Sequence, residues 1–212
     1  MKKEDNILKY KSNGEYYFIK PFEIVSSYTS FIDTWKIANK VCKEIEDVSE
    51  TTLLQSYSDE TKFGFISYSN WKSKNSFIKS NTENTVLGYH NTLNGSDAKY
   101  AAQYLYKLKS GEKYSVSKRK SKTVKVFMFD TDMTKYDSIM EFWDSVRSKE
   151  NGCIQSSYLY KSIYKDAKFR FVGILHYKDN NSKSENTLKN LFFEAKNGFK
   201  AYSIFFKTVK KY

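Results

Sequence analysis

The chain has 212 residues, 40 % of them hydrophobic and 17 % aromatic, and a net charge of +12. That composition excludes wholesale disorder, and no apolar run approaches the roughly 20 residues of a membrane-spanning helix or supplies a signal-peptide core. Two distant cysteines, Cys42 and Cys153, read as buried thiols, and two histidines all but exclude a metalloenzyme built on several imidazoles. An intracellular protein, cytoplasmic and without a membrane partner, is the expectation.

Residues 1–15 read as an N-terminal extension. Tyr16–Ile24 is short, aromatic and β-branched, as a strand should be. Phe31, Trp35, Ala38, Cys42 and Ile45 recur at spacings of four and three, which places them on one face of an amphipathic helix. Thr51–Tyr57 and Lys62–Asn70 follow as strands, with a turn at Ser58–Thr61 between them. A polar helix and a last strand around Ala101–Leu108 complete this run. Between Lys107 and Lys125 stand eight Lys or Arg and one Glu, more than half of the excess charge. The stretch is polar and aperiodic, so residues 109–122 read as a solvated basic linker ahead of a dedicated polyanion site.

From residue 123 the pattern starts again. Thr123–Asp130 is a strand, and Ile139, Trp143 and Val146 form a helix stripe that Gly152 closes. Strands Cys153–Lys161 and Lys168–Tyr177 flank a turn at Tyr164–Asp166, and Ala201–Lys210 ends the chain. Tyr28–Trp35 and Tyr136–Trp143 share Tyr, Ser and Trp at matching places, and Lys62–Ser76 matches Lys168–Ser182 at six of fifteen positions. The expected fold class is α+β, with two ferredoxin-like βαββαβ repeats at 16–108 and 123–212. Alternation sets Phe63 and Phe65 against Ile66 and Tyr68, and Phe169, Phe171 and Leu175 against Val172 and Ile174. Both faces of each sheet are thus apolar. Helices cover one, and the economical cover for the other is the second sheet, giving an intramolecular α+β barrel, a single-chain pseudo-dimer.

At these residues the chain resembles the antibiotic-biosynthesis monooxygenase (ABM) superfamily of dimeric α+β barrels. Phe18–Ile24 looks like its first strand, Phe31–Trp35 like its first helix and Lys168–Asp179 like its third strand. Trp71–Phe77 is similar to the aromatic–charged–small start of the helix that follows. The resemblance spans both halves and rests on the order and repetition of the segments. It implies a monooxygenase acting on a small hydrophobic or polycyclic ligand, working either without a cofactor or on haem. The haem-degrading branch carries an Asn on its first strand, a Trp in its second helix and a His ten residues later. Those positions fall here on Lys20, Ser80 and His90, so one of three matches, and in the second half the helix positions become Asn186 and Lys196.

His90 is the one candidate metal ligand, and only if haem is bound, since a neutral imidazole can hold its iron. Trp71, Lys20 and Arg170 are the other ligand-binding candidates, Arg170 as a partner for an acidic ligand inside the barrel. His176 reads as an ordinary strand residue, and Trp35 and Trp143 as core. No catalytic residue is assigned. The chain holds no glycine-rich phosphate loop, HExxH, CxxC or GxSxG. Two alternatives stay open. Phe63–Tyr68 fits part of the third-strand aromatic motif of an RNA-recognition module, and Tyr17–Phe22 partly fits the first, although Lys62 and Arg170 break the pattern and nucleic acid is not favoured. The other is a non-enzymatic structural or ligand-binding protein of the ABM fold.

Overall fold

A computed structural model describes residues 8–9, 16–24, 27–43, 47–58, 61–82, 98–100, 104–113, 122–131, 133–178, 191–194 and 199–211. In chain order these form β1 (Leu8–Lys9), β2 (Tyr16–Ile24), α1 (Tyr28–Lys43), β3 (Val48–Ser56), β4 (Phe65–Trp71) and α2 (Lys74–Thr82). Then come β5 (Ala98–Tyr100), β6 (Tyr104–Lys113), β7 (Thr123–Asp130), α3 (Tyr136–Glu150), β8 (Ile154–Ser162), β9 (Phe171–Tyr177), β10 (Leu191–Glu194) and β11 (Lys200–Lys211). No helix among the described residues is long and apolar enough to cross a membrane.

Eight antiparallel strands close a barrel in the order β6, β8, β9, β7, β11, β3, β4, β2, with β2 pairing back onto β6. The first half contributes β3, β4, β2 and β6 as neighbours, and the second contributes β8, β9, β7 and β11 in the same relative order. Two seams join these quartets: β6 pairs with β8 and β11 with β3. Short β1, β5 and β10 extend β6, β2 and β11. β6 runs to Lys113, so five residues expected in the basic linker instead belong to the barrel wall.

Period-two alternation sorts the apolar residues into two layers. Inside the barrel, Ile19, Leu54, Ile66 and Tyr106 of the first half meet Val126, Tyr160, Val172, Ile174, Ile204 and Phe206 of the second. Outside it, Trp35 with Phe22, Phe31, Leu53 and Phe65 packs under α1, and Trp143 with Phe127, Phe129, Ile139 and Phe171 packs under α3. Both indoles are core, as their helical spacing predicts. Each such buried ring or branched side chain contributes roughly 1.5–3 kcal/mol by leaving water.

Two expectations change. Phe63 and Phe169 were set on the same faces as Phe65 and Phe171, but both enter the barrel, away from those rings, and meet edge to face at 5.8 Å. They precede their strands, in loop segments where strict alternation does not hold. There the carbonyls of Gly64 and Arg170 accept from the Ser56 and Ser162 amides. The RNA-recognition reading also falls, because Phe63 and Phe65, the rings that would have to face bases, are wholly buried, Phe63 in the lumen and Phe65 under α1.

Candidate functional site

The helix-facing side of β2 and β4 carries polar groups where the rest of that interface is apolar. On β2 the residues facing the helices are Phe18, Lys20 and Phe22, and their partners on β4 are Ser69, Ser67 and Phe65. Phe22 and Phe65 belong to the apolar cluster under α1. Phe18 belongs to a second cluster with Trp71, Phe77 of α2 and Leu105. Between the two clusters lies a buried band of Lys20, Ser67, Ser69 and Asn39, with Lys20 only 6 % exposed. A buried lysine is uncommon, because its charge must be compensated by packing and polar partners.

The band is held rigidly. The Trp35 indole Nε1 donates to Ser67 Oγ at 3.0 Å, and the Trp71 Nε1 donates to Ser69 Oγ at 2.8 Å. Asn39 Nδ2 caps the Trp35 carbonyl at 2.8 Å. Lys20 Nζ lies 5.0 Å from the centroid of Phe18, an attractive cation–π distance. Phe77 then stacks tilted on Phe18 at 4.5 Å and edge-on to Trp71 at 5.3 Å. A fixed ammonium between aromatic rings and hydroxyls is suited to an oxyanion carried on a flat, apolar body.

Lys20 and Trp71 are therefore on one face of neighbouring strands, as two of the four candidates. Arg170 reaches the same region at one remove. Its guanidinium donates to the Tyr164 carbonyl, and Ile163 and Tyr164 of that turn pack against the Phe18–Trp71–Phe77 cluster. The Ile163 amide also donates to the Leu105 carbonyl at 3.0 Å. Arg170 thus braces a turn of the second half that packs on the first. His90 and Ser80 lie outside the residues whose side chains are described. His176 stands on the lumen side of β9, 5.9 Å ring to ring from Tyr158. Cys153 is a free, half-buried thiol, as the sequence suggests.

Sequence reasoning missed two groupings. On the helix-facing side of the second half, Lys125 Nζ pairs with Glu150 at 3.0 Å, and the Tyr177 hydroxyl donates to the other Glu150 oxygen. Burial, and then the Glu150 charge, push the Tyr177 phenol far above its ordinary range. Lys125 also lies about 5 Å from the rings of Phe127 (5.1 Å) and Phe205 (4.9 Å). One cation inside the apolar run Val124–Phe129 was the available signal. In the lumen, Tyr17 and Tyr160 lie 4.6 Å apart, with Tyr68, Tyr158 and Glu50 close enough to couple to them. Burial there raises Tyr68 to about 12 and Tyr160 well above its usual value.

No protein-family model and no curated protein matches the sequence. Solved structures match throughout their length. An anthrone oxidase-like protein aligns with a TM-score of 0.64 at 8 % identity, over 97 % of this chain and 95 % of that one. A candidate monooxygenase from Fusobacterium nucleatum gives 0.58 at 10 % identity, over 93 % and 94 %. A haem-binding protein from Thermus thermophilus gives 0.50 at 10 %, over 97 % and 93 %. At such identities the likeness is one of fold: this chain is an α+β barrel of the dimeric type, closed within a single polypeptide.

Proposed function

We propose that the chain is a tandem duplication of an ABM-type unit, and that its first half binds a small hydrophobic or polycyclic oxyanion between sheet and helices for cofactor-independent oxygenation. The observation that carries this reading is Lys20, an ammonium held among Phe18, Ser67 and Ser69 on an otherwise apolar face. The repeated strand order and the corresponding positions of Trp35 and Trp143 support the duplication. The monooxygenase and anthrone oxidase-like neighbours support the reaction class.

In such chemistry the substrate supplies the electrons. A methylene flanked by aromatic rings loses a proton, the charge moves to the ring oxygen, and molecular oxygen reacts with the resulting carbanion. Loss of water then leaves a ketone. Lys20 would stabilise the oxygen-centred charge, and the walls from Trp71, Phe77 and Tyr164 would keep water from it. Haem iron needs an axial imidazole, thiolate, thioether or phenolate, and the Lys20 band itself, of Lys20, Ser67, Ser69 and Asn39, offers none.

Oxygen uptake with anthrone as probe tests the reading. Lys20→Met should lower kcat about 100-fold, the scale of losing one oxyanion donor, while circular dichroism stays native. No uptake by the wild-type chain, or uptake indifferent to Lys20→Met, overturns it. A haem Soret band that disappears in His90→Ala would assign the haem branch instead.

A further inference from the structure

The β6–β8 seam carries a second feature, on its outer surface and independent of the Lys20 band. Lys107 of β6 and Lys161 of β8 are direct cross-strand partners. Like charges placed opposite each other in an antiparallel pair repel. Lys109, the residue at the β6 bulge, joins them. Lys109 and Lys161 each lie 5.5 Å from the Tyr136 ring, so their ammoniums are no further apart than twice that distance. Lys107 lies 4.7 Å from the Tyr16 ring. Lys107 and Lys109 are exposed and Lys161 is half-buried.

Among the described residues, none of the three lysines forms an ion pair with a carboxylate, and Asp137, next to Tyr136, forms none either. Elsewhere charges are paired: Lys36 with Asp33 and Arg147 with Asp144 along helices, and Lys62 with Glu23. At the seam Lys107 and Lys161 stand on paired positions, and Lys109 and Lys161 share the Tyr136 ring. The other seam has Gln55 opposite Lys207 where this one has lysine opposite lysine.

We infer that this seam is an anion site for a small multivalent phosphate, the triphosphate chain of a nucleotide or inorganic tripolyphosphate. Three point charges on flexible stems suit several phosphoryl groups at once, and lysine is a common phosphate partner of that kind. Tyr16 attracts the Lys107 ammonium, and Tyr136 holds those of Lys109 and Lys161 over one ring. Because Lys107 and Lys109 come from the first half and Lys161 from the second, the bound anion would also bridge the two quartets of strands.

Calorimetric titration of the full chain at low salt provides the test, with tripolyphosphate, ATP and orthophosphate as separate probes. Tripolyphosphate should bind once per chain, and Lys107→Ala and Lys161→Ala should each weaken it about tenfold or more. ATP binding as tightly as tripolyphosphate assigns recognition to the phosphate chain alone, and tighter ATP binding adds a contact to the nucleoside. Lys161→Glu separates the site from a merely solvated surface. It should abolish binding yet raise Tm without ligand, since a cross-strand ion pair replaces a repulsion. Absence of tripolyphosphate binding, binding equal in the alanine variants, or a short single-stranded RNA binding more tightly than either phosphate probe overturns the inference.

Discussion

Adding one methyl group at Gly173 should cost more stability than most changes in this protein. A Cβ there would stand 2.3 Å from Cζ3 of Trp143 and 2.8 and 2.9 Å from Cη2 and Cε3. Ordinary contact begins near 3.4 Å, so the indole must retreat by about 1 Å in a core where atoms are already close-packed. It has little room to do so. Trp143 is 1 % exposed, and Phe127 meets it edge-on at 5.8 Å from the strand next to β9. Overpacking of this kind costs about 3 kcal/mol, and for a chain of this size that lowers Tm by roughly 6–12 °C. Thermal and urea unfolding of Gly173→Ala measure it directly. Gly173→Ala combined with Trp143→Phe should cost less than the sum of the two, because the smaller ring no longer meets the new methyl. A loss below about 0.5 kcal/mol for Gly173→Ala, or strict additivity in the pair, would refute the close approach.

Two further outcomes follow from the lumen and its buried phenols. Phe63→Ala and Phe169→Ala should each cost about 3–5 kcal/mol and together less than the sum, since each ring is the other's neighbour at 5.8 Å; denaturant midpoints check this. Alkaline stability should fall steeply. Tyr68, Tyr106, Tyr160 and Tyr177 all have folded values raised by burial. Each contribution is fully present below the unfolded value near 10 and is lost as pH rises from there toward the folded value, at about 1.4 kcal/mol per group per pH unit. Phenolate absorbance should show four tyrosines ionising only as the chain unfolds, and smooth ionisation of all tyrosines in the native state would contradict it.

The parts of the fold legible in the sequence were those with a local cause. β2 and β7 begin and end where aromatic and β-branched runs predict. Double-faced apolar strands demanded a second sheet, and the barrel provides it. Phe63 and Phe169 were misplaced because alternation was extended past the strand ends. β6 was cut short because Lys107–Lys113 is polar, yet its strand is stabilised by pairing with β8 across a seam that no local pattern encodes. In the candidate site, Lys20 and Trp71 were found by resemblance, and their common face follows from the β2–β4 register. Lys125, Glu150 and Tyr177 stand 25 and 27 residues apart in sequence, and only the packing of α3 on the sheet brings them together.

That triad bears on why the two halves differ at corresponding places. Under the fold's repeated strand order, Phe18 and Lys20 of β2 correspond to Lys125 and Phe127 of β7, so the buried lysine and its ring exchange positions. Ser67, which accepts from Trp35, corresponds to Gly173, on which Trp143 rests with its own Nε1 lacking a hydrogen-bond partner. Trp71 corresponds to Tyr177, which donates to Glu150. The second half thus neutralises its lysine internally, with a carboxylate from the end of α3. Lys125→Met should then cost about 2–4 kcal/mol, less than a fully dry pair would because Glu150 keeps some contact with solvent. The double variant Lys125→Met with Glu150→Gln should recover most of that loss, since no buried charge is left behind. Urea midpoints for the wild type, both single variants and the double give the coupling energy. A value within 0.5 kcal/mol of zero would mean that the pair does not act as a unit, and the account of a second half that neutralises its own buried lysine would lose its physical basis.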